Sequence, residues 1–115
     1  MISAILYRKG GRYTGFRDRG HSGYAEHGQD IVCAAASALE INCVNSLESL
    51  LGVRVSAEVE EETGLLSFDL PALEGETEKG AQLLMGALGQ GFSDLQEAYP
   101  GFVKFEIKER RTGPC

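Results

Sequence analysis

The sequence predicts an α+β domain in the order β-β-α-β-β-α-β, with two helices packed on a mostly antiparallel sheet. Three observations lead there. Short runs of alternating apolar and polar residues occur near both ends of the chain and in its middle. Two long runs with helical character separate them, and a Gly-Gly pair lies between the first two alternating runs. At 115 residues the chain is one domain, large enough to bury a core without metal or disulfides.

Ile2–Arg8 alternates weakly and reads as a strand, and Lys9-Gly10-Gly11-Arg12 is a hairpin signal before a second strand over Tyr13–Arg19. Ser22 to Gln29 has no periodicity and carries Gly23 and Gly28, so it reads as a mobile loop. Asp30 is a suitable N-cap, because its carboxylate accepts from first-turn N–H groups. The helix that follows, IVCAAASALEINCVNSLESLL, is closed by Gly52, and its first half is apolar on most sides, the mark of a buried central helix. Val53, Val55, Ala57 and Val59 alternate with polar residues and predict a third strand. Glu60–Gly64 makes a turn, and Leu66, Phe68 and Leu70 define a fourth strand that stops at Pro71. Glu74–Tyr99 is helical; Gly86, Gly89 and Gly91 each weaken it by about 1 kcal/mol relative to alanine and predict a break or close packing. Pro100-Gly101 ends it, and Val103, Phe105 and Ile107 face one side of a last strand. The domain is therefore expected over residues 1–109, with 110–115 a disordered tail.

The charge balance narrows the partners. Eleven basic against seventeen acidic residues give a net charge of −6, with acidic clusters at Glu58–Glu62 and Glu74–Glu78. That disfavours direct nucleic-acid binding, where a basic face supplies most of the affinity. It suits attraction of a basic partner, although a solvated surface explains the clusters equally well. No run approaches the ~20 apolar residues of a membrane span. The N-terminus lacks the layout of a signal peptide, and three unpaired-looking cysteines indicate reduced thiols, so a cytoplasmic location is expected.

Chemistry concentrates in residues 20–37, GHSGYAEHGQDIVCAAAS, which hold both histidines and Cys33. With Asp30 as N-cap, Cys33 occupies the third helical position, where unpaired N–H groups and the positive helix end favour a thiolate. The same N–H groups would suit an oxyanion. His21, at the mouth of the loop, is placed to act as base. Against this, a free cysteine is commonly an inert small hydrophobe. On spacing alone, His27 reads as an exposed loop residue and Ser37 as packing. A phosphate loop is disfavoured because no Gly-Lys-Ser/Thr follows the glycines. A zinc site from His21, His27, Cys33 and Cys43 matches no compact spacing, so no metal or other cofactor is expected.

Gly20-His21, then Gly28 and Asp30-Ile31-Val32-Cys33-Ala34-Ala35, then Ser37, resembles the signature of the ribosomal-processing cysteine protease family, Prp. The stretch Asn42 to Leu47, the element order and the length are similar too. The resemblance implies a cysteine endopeptidase with a catalytic pair matching His21 and Cys33, and Asp30 as an orienting or capping residue. The glycine-rich loop itself, with Gly20, Ser22, Gly23 and Gly28, is a candidate substrate loop, a lid that orders over an extended peptide. The resemblance further implies a homodimer that removes the N-terminal extension, ending in hydrophobic and aromatic residues, of a bacterial large-subunit ribosomal protein precursor. Ser22 departs from the family pattern, which has a small alanine there. The runner-up is a non-catalytic module that binds a ribosomal protein or assembly factor through the 20–30 loop.

Overall fold

The computed structural model describes residues 1–110. Five strands and two helices follow the expected order: β1 (Ile2–Lys9), β2 (Arg12–Arg19), α1 (Ile31–Leu51), β3 (Glu58–Glu60), β4 (Leu65–Asp69), α2 (Gly75–Ala98) and β5 (Val103–Glu109). They form one sheet in the order β3-β4-β2-β1-β5. All pairings are antiparallel except β1 with β5, where Ile2 lies beside Val103 and Leu6 beside Ile107. Gly10 and Gly11 turn the first hairpin with φ of 58° and 80°, the pair of positive values that a two-residue turn demands.

One face of the sheet carries the core. Ile2, Ala4 and Leu6 of β1, Phe16 of β2 and Phe68 of β4 are buried against Val32, Ala36, Cys43 and Leu47 of α1 and Ala81, Met85, Leu88 and Phe92 of α2. The Phe16 ring packs on Phe68 and Phe92 with centroids 6.1 and 5.2 Å away, pairs that add about 0.5–1.5 kcal/mol each beyond their buried area. The glycines of α2 do not break it. A Cβ on Gly89 would stand 2.8 Å from Leu6 Cδ2, and one on Gly91 2.8 Å from Leu39, so these glycines let α2 approach β1 and α1 closely. Gln82 fixes the helix to the sheet by accepting from the Tyr13 N–H (2.8 Å) and donating to the Tyr13 carbonyl (2.9 Å).

Three expectations need correction. The third strand is only Glu58–Glu60; Val53 to Ala57 is unpaired, although Val53 is buried and donates its N–H to the Leu47 carbonyl. Alternation reports an extended, half-buried chain, and says nothing of whether a neighbouring strand lies beside it. Second, α1 is not buried on all sides. Its core face is Val32, Ala36, Glu40, Cys43 and Leu47, while Ile31 and Ile41 are more than half exposed. Alanine-rich sequence looks apolar on every face, whichever face is covered. Third, α1 does reach the length and apolarity of a membrane span, with 21 residues and a mean hydropathy of 1.2. Its core face nevertheless packs in the domain, with Glu40 in the middle of it. At the C-terminus, Arg110 donates its N–H to the Arg8 carbonyl and pairs with Asp69; the rest of the expected tail, 111–115, lies outside the described residues.

Candidate functional site

A cleft of about 800 Å³ opens where four pieces of chain meet: the end of β2, the 20–30 loop, the first turns of α1, and the β3–β4 turn. His21, Asp30 and Cys33 all line it. So do Gly20, Gly23 and Gly28, whose positive φ values of 98°, 72° and 89° let the loop fold back on itself.

Asp30 is the N-cap of α1. Its Oδ1 accepts from the Val32 N–H (3.0 Å) and the Cys33 N–H (2.9 Å), which places Cys33 at the third helical position as the sequence indicates. The other carboxylate oxygen accepts from the Ser22 hydroxyl and, at 3.5 Å, from the Ala25 N–H. Desolvation alone would raise the Asp30 carboxyl, but the bonds from Ser22, Cys33 and Ala25 outweigh it and hold the group down at about 2. This geometry corrects the expected oxyanion donors: the N–H groups of Val32 and Cys33 already serve the cap. Ser22 compensates. It is buried, and its own N–H points at Cys33 Sγ from 3.4 Å. An N–H in that position meets negative charge on sulfur.

His21 is braced from the opposite wall. Its Nε2 lies 3.1 Å from the Glu62 carbonyl oxygen. A carbonyl can only accept, so the bond places the proton on Nε2 and leaves Nδ1 with the lone pair in the neutral ring. The strand end that carries the ring is locked by backbone: the Gly20 N–H donates to the Thr63 carbonyl at 2.9 Å. A Cβ on Gly64 would stand 2.3 Å from the Gly20 oxygen and 3.2 Å from His21 Cε1. Among the described residues no hydrogen bond joins His21 directly to Cys33; the two share the cleft, one residue of β2's exit apart through Ser22.

Two groups the sequence reading passed over complete the floor. Asp18 of β2 and Glu40 of α1 line the same cleft, and both are buried. Burial pushes the Glu40 carboxyl up to about 10, reinforced by its hydrogen bond to Asp18, the Asp18 charge and Cys33. Asp18 is raised too, by burial, against the lowering effects of Glu40, the Arg19 backbone and His21. Burial therefore favours the protonated form of both carboxyls. A signal existed in the sequence: Glu40 follows Val32 and Ala36 at helical spacing, on the core face of an apolar helix.

These shifts set the pH dependence of stability. In the unfolded chain a glutamate ionises near pH 4.3, while folded Glu40 keeps its proton to about 10. Its contribution is whole below the unfolded value and is lost as pH rises, with a slope no steeper than about 1.4 kcal/mol per pH unit. Asp30 acts oppositely: its contribution is present above about pH 4 and is lost as pH falls towards about 2. Urea midpoints measured from pH 2 to 10 are expected to peak near pH 4–5. Glu40→Gln is expected to flatten the alkaline limb; an unchanged limb assigns it to other groups.

The remaining sequence-flagged residues separate. His27 and Ser37 are exposed at the cleft rim. Cys43 is buried in the core, where desolvation raises its thiol to about 11. Tyr24, which sequence reasoning did not single out, packs edge-on against Tyr99 and Phe102 and ties the loop to the α2–β5 corner.

The family model described as cysteine protease Prp matches residues 1–104. The chain is 32% identical over 101 residues to the ribosomal processing cysteine protease Prp of Bacillus subtilis, covering 86% of this chain and 90% of that one. A solved structure from Streptococcus mutans superposes with a TM-score of 0.84 at 37% identity, covering 96% of both chains. The ribosomal processing protease Prp of Staphylococcus aureus, solved with a covalently linked product peptide, shares the fold at a TM-score of 0.81 and 23% identity over 96% of this chain and all of that one.

Proposed function

The chain belongs to the cysteine protease Prp family and is a cysteine peptidase, and we propose that it removes the N-terminal extension of a bacterial large-subunit ribosomal protein precursor, with Cys33 as nucleophile and His21 as base. The observation that carries this reading is the setting of Cys33. Its sulfur sits at the positive end of a 21-residue helix, receives the Ser22 N–H, and shares a cleft with a histidine whose Nε2 is already committed.

In the mechanism, His21 Nδ1 takes the Cys33 proton and the thiolate attacks the scissile carbonyl. The Ser22 N–H, beside the sulfur, is a donor next to the carbon that the sulfur joins. His21 then protonates the leaving amine, and water releases the acyl group from Cys33. Asp30 does not titrate in this cycle; its role is to hold Ser22 and the helix start in register. The acidic rim, with Glu60 and Glu61 in the cleft lining and a net charge of −6, favours a basic precursor.

The test is mass-spectrometric. The protein and its Cys33→Ser variant are incubated with a peptide spanning the extension junction of the host's ribosomal protein precursor. A single cut made only by the unmodified chain supports the assignment; no cut by a folded, reduced protein overturns it.

A homodimer is part of the same proposal. Ile31, Ala34, Ala38 and Ile41 are exposed along one side of α1, an apolar stripe whose Ala34 and Ile41 also line the cleft. Sedimentation velocity is expected to give a dimer for the unmodified chain and a monomer for Ala38→Arg. A monomer in both assigns the stripe another use.

A further inference from the structure

The sheet has a second face, which the helices leave open. Both helices pack on the side that carries Ile2, Leu6, Phe16 and Phe68. Alternation turns the intervening side chains of β1, β2 and β5 the other way, and the strand registers set them in rows. Ser3 stands between Arg19 and Lys104, and Ile5 between Arg17 and Glu106. Lys108 follows on β5, beside Tyr7. Among the described residues, Arg17, Arg19, Lys104 and Lys108 pair with no carboxylate. Arg110 is already engaged: its guanidinium holds Asp69 at 2.8 Å and covers the Tyr7 ring at 4.2 Å. Against the four cations, the β2-β1-β5 part of this face sets Glu106 alone; Glu58 and Glu60 belong to β3, two strands beyond β2.

We propose that this face binds the sugar-phosphate backbone of single-stranded RNA, with Arg17, Arg19, Lys104 and Lys108 as the phosphate contacts. The net charge of −6 is an average over unlike surfaces. Glu60 and Glu61 line the cleft against α1, whereas the open face of β2, β1 and β5 is basic. Arg17 and Arg19 are about 7 Å apart along β2, and Arg19 lies about 10 Å from Lys104 across two strand spacings. Cations spread in two directions suit a polyanion whose charge repeats along its length. Ser3 and Ile5 are short side chains between them, so a strand of nucleic acid can lie flat on the sheet. An acidic peptide matches this spread only with a carboxylate at nearly every position, while each nucleotide brings a charge whatever its base. Phosphate contacts carry no sequence information, so the binding is indifferent to sequence. The choice of RNA rests on the protease reading, in which the substrate is the precursor of a ribosomal protein.

The test is fluorescence anisotropy of a fluorescein-labelled single-stranded RNA of about 20 nucleotides, titrated with the full chain from about 50 to 200 mM KCl. Binding is expected at the low-salt end, with log K falling against log salt at a slope of about −3 for four phosphate contacts. The Arg17→Gln, Lys104→Gln variant is expected to bind about tenfold or more weakly there and to show a slope of about −1.5. Lys104→Glu, Lys108→Glu changes only exposed side chains of an edge strand and is expected to lose at least as much. Lys79→Gln, on α2 at the other side of the sheet, is expected to bind RNA as the unmodified chain does. All three variants are expected to cut the precursor peptide at the unmodified rate. No binding at the low-salt end, or binding that the sheet variants leave unchanged, overturns the RNA face and leaves the protease reading. Equal affinity for polyglutamate, lost in the same variants, assigns the face to an acidic protein segment and overturns RNA. Tighter binding of DNA of the same sequence also overturns RNA. RNA binding by a chain that cuts no precursor peptide keeps the face and overturns the protease reading.

Discussion

Cys33→Ala is expected to lower the rate of precursor cleavage by at least about 10⁴-fold, the scale on which removal of a covalent nucleophile acts. The fold should survive, since Cys33 is only half-buried at the first turn of α1 and its N–H, which binds Asp30, remains. His21→Ala should cost nearly as much, and the double variant little more than either, because the two act as one unit. Thiol chemistry gives a second readout. Iodoacetamide near neutral pH should label Cys33 much faster than Cys43, whose thiol is buried and raised to about 11. Equal and slow labelling of both, together with retained cleavage in Cys33→Ala, would remove Cys33 from the chemistry.

The second large effect is expected at a residue that touches no substrate. Gly64→Ala adds a Cβ 2.3 Å from the Gly20 carbonyl oxygen and 3.2 Å from His21 Cε1, at a φ of 65°. The left-handed conformation costs alanine about 1–2 kcal/mol. The backbone clash cannot be relieved by a rotamer, so the β4 turn or the end of β2 must shift, and His21 moves with it. A displacement of about 1 Å at a catalytic group is worth about 10²-fold in rate. Gly52→Ala is the comparison: it has a similar φ of 69°, but nothing stands within 4 Å of the added Cβ at the far end of α1. Both variants should lose stability in urea titrations, Gly64→Ala the more because of its backbone clash, while kcat/KM falls only in Gly64→Ala. Equal kcat/KM in the two would show that the brace on His21 does not matter to the rate.

Much of this site is legible in the chain because it is local. Asp30, Cys33 and Ser22 lie within twelve residues, and the cap rule alone puts the cysteine on the third helical position. Gly52 with its φ of 69° ends α1 where the sequence says it should. The Glu62 carbonyl that orients His21 was not legible, because it lies forty-one residues away and is a backbone group, which no residue type announces. The Asp18–Glu40 pair was missed for a related reason. Each alone reads as an ordinary charged residue, and only the crossing of α1 over β2 buries them together. The overlong third strand and the over-buried helix share a different cause: patterns of polarity describe what one segment prefers, whereas pairing and burial depend on what lies opposite.

The Tyr24 contact has a kinetic side. Its ring is held edge-on by Tyr99 and Phe102, with centroids 5.6 and 5.3 Å away, and it stands in the loop that forms one wall of the cleft. Each ring pair contributes about 0.5–1.5 kcal/mol, so peeling the loop from the α2–β5 corner costs about 1–3 kcal/mol. A gap of that size leaves the widened cleft as a minor species, about 0.6–16% of molecules at any moment. A slender extended peptide is bound by the major species. A bulkier one must wait for the minor one, and its apparent affinity falls in proportion to that species' share of the population.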